Sequence, residues 1–258
     1  MNEPDPAAPA APDATLAPAT DAQAARQSQA LLLAVMLVSA CALVYELIAA
    51  AIASYVIGDV VSQFSVVIGL YLSAMGLGAW LSRFVEKSPA RRFVDFELAL
   101  ALVGGALAPA LFFAFARLQD ARPVLWLLVG VIGTLVGLEL PLLLRILEGR
   151  VEFKSLVARV LSADYLGSLV ASLVFPLLLM PFLGLVRTSL AAGAVNAIVA
   201  LWTTWLLAPT MGSVRGPRAR ALAVLALIAL GLAFGDRLVP ADDGPAIESA
   251  SSSAAPVR

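Results

Sequence analysis

Seven long apolar runs dominate the pattern of hydrophobic and polar positions along the chain. Charged residues collect in the short segments between these runs. About 20 apolar residues in a helix are enough to cross the ~30 Å hydrocarbon core of a bilayer. The pattern therefore predicts an all-α protein, a polytopic membrane bundle of about seven transmembrane helices. The predicted spans are residues 30–57, 60–81, 94–116, 124–146, 160–180, 185–208 and 219–235, of which the last is the weakest.

The two ends of the chain differ in composition from the region between them. Residues 1–28 are rich in alanine and proline, and residues 237–258 are rich in serine, alanine and proline. Segments of low hydrophobicity cannot bury enough apolar surface to offset the entropy lost on folding. We therefore predict a disordered cytoplasmic tail over 1–28, a transmembrane helical domain over 29–236 and a disordered C-terminal tail over 237–258.

Composition supports a membrane protein and excludes several kinds of site. Of the 258 residues, 61% are hydrophobic and 14% are charged, whereas soluble domains have about 45–50% apolar and 25% charged residues. The sequence has no histidine and a single cysteine, Cys41. This excludes histidine bases, histidine metal ligands and thiolate clusters, and we expect no metal, no cofactor and no nucleic-acid partner. The expected partner is the lipid bilayer.

The distribution of basic residues predicts the orientation of the spans. The segments 83–92, 145–159 and 215–220 together hold 11 lysines and arginines, whereas the alternate loops hold three. Because cytoplasmic loops carry the excess of Lys and Arg, we predict an inner-membrane protein whose N-terminus is cytoplasmic. Seven crossings would place the C-terminus outside.

Three of the acidic residues inside the apolar runs define the candidate site. Glu46, Glu139 and Asp164 occupy the first, fourth and fifth predicted spans, where a charge costs about 2.5–3.5 kcal/mol on insertion scales. At 1.5 Å per residue, Glu139 lies about 10 Å and Asp164 about 6 Å from the cytoplasmic ends of their spans. We therefore expect the three acids to converge on one cavity that opens to the cytoplasm and suits a cation. The neighbouring Tyr45 and Tyr165 complete this candidate cation site.

Each acid also has a structural interpretation. Asp164 would alternatively stabilise the first turn of its helix or pair with a nearby arginine. Glu139 would alternatively pair with Arg145 or with a hydroxyl on a neighbouring helix. Asp95 and Glu97, at the start of the third span, fit a first-turn interaction with the helix dipole, and we do not place them in the site.

Small residues and prolines predict how the helices pack and bend. Small residues at four-residue spacing allow close approach of helix backbones, and simple packing is the favoured interpretation. The small-residue sets are Ser65, Gly69 and Ser73; Ala74 and Gly78; Gly133 and Gly137; and Gly167 and Ala171. Pro109, Pro141 and Pro176 lie within apolar runs and predict bends there, because proline lacks the N–H that a helix requires.

Five motifs, in this order, are similar to a known family. They are Leu43-Val-Tyr45-Glu46; Gly69-Leu-Tyr71-Leu-Ser-Ala-Met75-Gly76-Leu-Gly78-Ala-Trp-Leu-Ser82-Arg83; Gly137-Leu-Glu139-Leu-Pro141-Leu-Leu-Leu-Arg145; Asp164-Tyr165-Leu-Gly167-Ser-Leu; and Phe175-Pro176-Leu-Leu-Leu-Met-Pro181-Phe-Leu-Gly184-Leu-Val-Arg187-Thr188. Over about residues 35–208 the chain resembles the membrane-spanning half of the membrane-bound spermidine synthase-like proteins.

The resemblance implies a link to polyamine synthesis. In that family a soluble domain commonly follows the membrane half and transfers an aminopropyl group from decarboxylated S-adenosylmethionine to putrescine. The 23 residues after Gly235 contain no glycine-rich nucleotide loop. We therefore carry over no catalytic residue and expect the membrane half without the catalytic domain.

On this basis the sequence predicts a module that is not an enzyme by itself. It would be the integral membrane module of a spermidine synthase-like system, which binds or passes a small organic cation such as a polyamine, or docks a separate soluble aminopropyltransferase. The alternatives are a membrane scaffold with no ligand and a small secondary transporter. An intramembrane enzyme is the least favoured, because no nucleophile–base pair is visible.

Overall fold

A computed structural model describes residues 17–148 and 153–234 of the chain. Within these ranges the regular secondary structure is helical and includes no strand, so the all-α prediction is confirmed. The helices are α1 (Ala17–Ile57), α2 (Val60–Leu81), α3 (Pro89–Gly105), α4 (Leu107–Arg117), α5 (Arg122–Leu147), α6 (Phe153–Val174), α7 (Met180–Leu206), α8 (Ala208–Met211) and α9 (Arg215–Phe234). α1 already includes residues 17–28, which were assigned to the N-terminal tail, whereas the predicted tail over 237–258 lies outside the described residues.

Several helices are suited to crossing a membrane by length and composition. Among the described residues five helical stretches qualify, or six if α3 and α4, which meet at an angle of 41°, form one span. These five stretches are Ser28–Ile57, Val60–Phe84, Arg122–Leu147, Lys154–Leu206 and Arg215–Phe234. The total of about seven crossings stays a prediction, and it depends on how the long fourth stretch is divided.

That fourth stretch folds back at Gly184, near the start of α7. The Thr188 hydroxyl donates a hydrogen bond of 3.3 Å to the carbonyl oxygen of Leu179, although nine residues of straight helix would separate the two by about 13.5 Å. Gly184 has φ 68° and ψ 177°, a conformation that is essentially restricted to glycine. Pro176 lies just before, in a π-helical turn over Phe175–Leu179, where a bend was predicted. α6 and α7 consequently both pack against α1.

The bend between α3 and α4 follows from a proline and is held by a serine. Pro109 has no N–H to donate to the carbonyl four residues earlier, that of Gly105. The buried Ser189 hydroxyl of α7 lies 3.1 Å from this carbonyl oxygen and 2.6 Å from that of Gly104. Its oxygen also accepts a bond of 3.3 Å from the N–H of Ala108. The predicted bend at Pro109 is therefore confirmed, whereas α5 continues without a break through Pro141.

Glycines set the close contact between α2 and α5. A Cβ added at Gly137 would lie 2.1 Å from the carbonyl oxygen of Met75, and one added at Gly78 would lie 2.1 Å from that of Thr134. The predicted packing role of these small residues is confirmed. Gly69, on the outer side of α2, faces open space instead.

Candidate functional site

A cavity of about 630 Å³ lies between α1, α2, α5 and α6. Its walls are mostly apolar, and Glu46, Glu139 and Asp164 all line it. The convergence that was expected from helix depth is therefore present in the structure. The role of the three acids as cation ligands and the opening of the cavity toward the cytoplasm stay predictions.

One face of α1 places two of the three carboxyl groups. Ser39 donates a hydrogen bond to Oδ1 of Asp164, which fixes this part of α6 against α1. Glu46 follows Ser39 by seven residues, close to two helical turns, so the two side chains share a face of α1 and lie about 10 Å apart along its axis. α6 approaches α1 closely at Gly167, where a Cβ would lie 2.1 Å from the carbonyl oxygen of Met36. This close helix contact keeps Asp164 next to Ser39.

Glu139 is more deeply buried than Glu46 and Asp164. It lies next to a second buried acid. Its side chain is 4% exposed and that of Glu97 on α3 is 0% exposed, and the two carboxyl groups are close enough to interact. Both oxygens of Glu97 and Oε1 of Glu139 have no hydrogen-bond partner among the described residues. Two adjacent buried carboxyl groups need a proton or a cation between them, because two bare charges there would repel each other in a poorly solvating medium.

The predicted roles of Asp95 and Glu97 were wrong because α3 begins earlier than the apolar run. The helix starts at Pro89, so neither residue lies in its first turn. Asp95 pairs instead with Arg220 of α9 at 2.8 Å. Glu97 shares the buried stripe of α3 with Phe93 and Ala101, four residues away on either side. That helical spacing is the signal that could have identified it.

Arg145, the arginine that was predicted as an alternative partner of Glu139, has other partners. Arg145 donates through Nη1 to the carbonyl oxygens of Ser82, at 3.0 Å, and Val85, at 3.1 Å, and so caps the end of α2 rather than Glu139. The ion pairs between described residues join Arg220 to Asp95 and Arg122 to Asp120. Neither pair includes a cavity acid.

The structure separates the two predicted tyrosines. Tyr165 lines the cavity and is 69% exposed. Tyr45 is fully buried, does not line the cavity, and packs its ring against Gly104 of α3. Consecutive residues of a helix point about 100° apart, so Tyr45 faces away from the cavity that Glu46 lines. Tyr71 of α2, which was not predicted, lines the wall, and its hydroxyl donates to the carbonyl oxygen of Ala42 at 2.9 Å.

The spacing of the carboxyl groups suits an extended ligand better than a metal ion. Within the described ranges no three Cys, Asp or Glu side chains come close enough together to hold a metal. The volume lies within the range of about 300–1,000 Å³ that is typical of small-molecule sites. A few separated charges on an apolar wall match a chain of methylene groups that carries several ammonium groups.

Comparison with known proteins identifies enzymes of one class as relatives. The polyamine aminopropyltransferase of Leptospira interrogans is 47% identical over 207 residues, which are 80% of this chain and 42% of that protein. Polyamine aminopropyltransferase 2 of Ralstonia nicotianae is 50% identical over 221 residues, 83% of this chain and 43% of that protein. The chain thus spans about two fifths of the length of these curated relatives. No family model and no solved structure matches it.

These relatives correct the functional prediction. Proteins named polyamine aminopropyltransferases are enzymes, so the prediction of a module that only binds or passes a cation, or docks a separate enzyme, was wrong. The alternatives of a scaffold and of a transporter are not better supported. The resemblance to spermidine synthase-like proteins is confirmed at the level of homology. That prediction rested on the lack of a glycine-rich nucleotide loop in the 23 residues after Gly235, and the names of the relatives outweigh it.

Proposed function

We propose that this chain is the membrane-embedded helical part of a polyamine aminopropyltransferase. The observation that carries this proposal is 47–50% identity to two such enzymes over about four fifths of the chain. The reaction would be the one that the resemblance implies, transfer of an aminopropyl group from decarboxylated S-adenosylmethionine to a diamine. Because the chain spans about two fifths of these relatives, the activity is proposed for the complete enzyme of which these helices are a part.

The outer surface of the bundle supports placement in a membrane. On α2, Leu72 is 57% and Trp80 51% exposed, and on α6, Leu169 is 56% and Leu173 55% exposed. A soluble protein rarely exposes large contiguous apolar patches, whereas lipid tails cover such faces at no cost. The excess of basic residues in the segments 83–92, 145–159 and 215–220 supports a cytoplasmic N-terminus.

Cysteine labelling tests this orientation. Cys41 is the single cysteine of the chain and is buried, so the parent protein should give little background labelling. A membrane-impermeant maleimide added to intact cells should label Asp120→Cys, whereas Lys87→Cys should react only after the cells are permeabilised. Both positions are exposed. Labelling of Lys87→Cys alone in intact cells would refute the proposed orientation.

A genetic experiment tests the activity. The coding sequence is removed from cells whose other aminopropyltransferases have already been deleted, and the triamine content is measured by mass spectrometry. We expect the triamine to disappear and to return when the complete gene is restored. Unchanged triamine levels after the deletion would overturn the proposal.

A further inference from the structure

Two carboxyl groups line the cavity at different levels of α1. Asp164 is fixed by Ser39 at one level of α1, and Glu46 projects from the same face about 10 Å further along the helix axis. Both carboxyl groups are half-buried and line the cavity. The wall between them includes the apolar side chains of Ala42 and Leu43. A ligand that satisfies both ends must therefore be long, apolar along its length and positively charged at its two tips.

Glu139 supplies an independent sign of a ligand. It lines the same cavity, is 4% exposed, and its Oε1 has no hydrogen-bond partner among the described residues. Buried polar atoms are nearly always hydrogen-bonded, so this oxygen requires a donor, which is either a proton shared with Glu97 or a cation. Glu97 behind it adds a second acid to the same place. This part of the cavity wall therefore also favours a cation.

Ligand length separates the polyamines from one another. An extended chain advances by about 1.2 Å per bond, since an extended residue of three bonds spans about 3.3–3.6 Å. On that basis the terminal nitrogens of putrescine, five bonds apart, lie about 6 Å from each other, and those of spermidine, nine bonds apart, about 11 Å. The ~10 Å of helix rise from Ser39, which holds Asp164, to Glu46 is closer to the length of the longer molecule.

We propose that this cavity holds an extended triamine, the product class of aminopropyl transfer, with one terminal ammonium at Asp164, the other at Glu46 and the central amine near Glu139. The choice of ligand rests on the proposed function, whereas the length selection rests on the geometry of α1. Three separated carboxyl groups then face three separated amines, and the methylene segments lie against the apolar wall. A diamine would reach only one of the two ends at a time.

Equilibrium binding to the purified full chain in detergent tests the proposal, with spermidine and putrescine as probes. Since a hydrogen bond to a charged group contributes about 1.5–3 kcal/mol, the additional ionic contact should make spermidine bind at least ~10-fold more tightly than putrescine. Equal or weaker binding of spermidine would overturn the proposal, and this comparison needs no variant.

Variants locate the contact. Glu46→Gln should lower spermidine affinity at least ~10-fold and bring it close to that of putrescine, because one charged contact is lost. Glu148→Gln is the matched control, since Glu148 is exposed at the end of α5 and does not line the cavity; it should change neither affinity. Asp164→Asn tests the other end in the same way. Equal effects of Glu46→Gln and Glu148→Gln would contradict the assignment.

The binding experiment is separate from the test of activity. Selective spermidine binding in a protein that takes part in no aminopropyl transfer would uphold the cavity assignment and refute the proposed function. Transfer activity together with spermidine binding that Glu46→Gln and Asp164→Asn leave unchanged would uphold the proposed function and refute the cavity assignment.

Discussion

Replacing Gly137 by alanine tests the packing that shapes the cavity wall. The new Cβ would lie 2.1 Å from the carbonyl oxygen of Met75 on α2, and 2.7 Å from the Cα of the same residue. Real Cβ atoms do not approach backbone this closely, and neither helix can yield by rotating a side chain. α2 and α5 must therefore move apart along the wall that both helices form.

The magnitude follows from two opposing effects. Overpacking of a well-packed core typically costs about 1–3 kcal/mol. Alanine also favours helix over glycine by roughly 0.5–1 kcal/mol, which offsets part of this cost. Gly130 lies two turns earlier on α5 and has nothing within 4 Å of an added Cβ. Gly130→Ala should therefore gain the helix preference of alanine without any overpacking cost. The two variants should differ in unfolding free energy by about 1–3 kcal/mol, the overpacking cost alone.

Thermal unfolding in one detergent, followed by circular dichroism, gives the comparison. We expect Gly137→Ala to unfold at a lower temperature than the parent protein and Gly130→Ala at the same or a higher temperature. If both variants unfolded at the temperature of the parent, the close contact between α2 and α5 would be refuted. Destabilisation by Gly130→Ala alone would equally contradict this account of the wall.

Three further stability predictions use the same measurement. Ser189→Ala should cost about 1–3 kcal/mol, because it removes the buried donor that the carbonyl oxygens of Gly104 and Gly105 share; an effect no larger than that of the exposed Ser73→Ala would contradict this. Tyr71→Phe should cost about 0.5–1.5 kcal/mol through loss of its bond to α1, and an unchanged midpoint would refute the contribution of that bond. Arg220→Gln should cost at most about 1 kcal/mol, since surface ion pairs contribute little and are screened by salt; a larger, salt-independent loss would contradict that description.

The part of the site that could be predicted followed from helix geometry. The rise per residue gave the depths of Glu139 and Asp164, which lie on helices that follow each other in sequence. The buried position of each acid in an apolar run was already a sign of function. These relations are local or nearly so, and one sequence is enough to show them.

The parts that failed depend on tertiary contacts or on chemistry that these helices do not reveal. α3 begins with five residues before the apolar run, including two arginines, and these were not predicted to be helical. Glu97 was therefore wrongly assigned to the first turn of the helix. Tyr45 was assigned by proximity to Glu46 along the chain, although adjacent helical positions face different directions. The prediction of a non-enzymatic module failed because it rested on the 23 residues after Gly235, whereas the relatives are named as enzymes.

The most direct test of the central claim is aminopropyl transfer by the protein isolated from its own membranes. The complete protein is purified through an affinity tag and incubated with putrescine and with decarboxylated S-adenosylmethionine that carries a labelled aminopropyl group. We predict a labelled triamine in the purified fraction, and none in a mock purification from cells without the tagged gene. A purified protein that yields no more labelled triamine than the mock purification would contradict its assignment to a polyamine aminopropyltransferase.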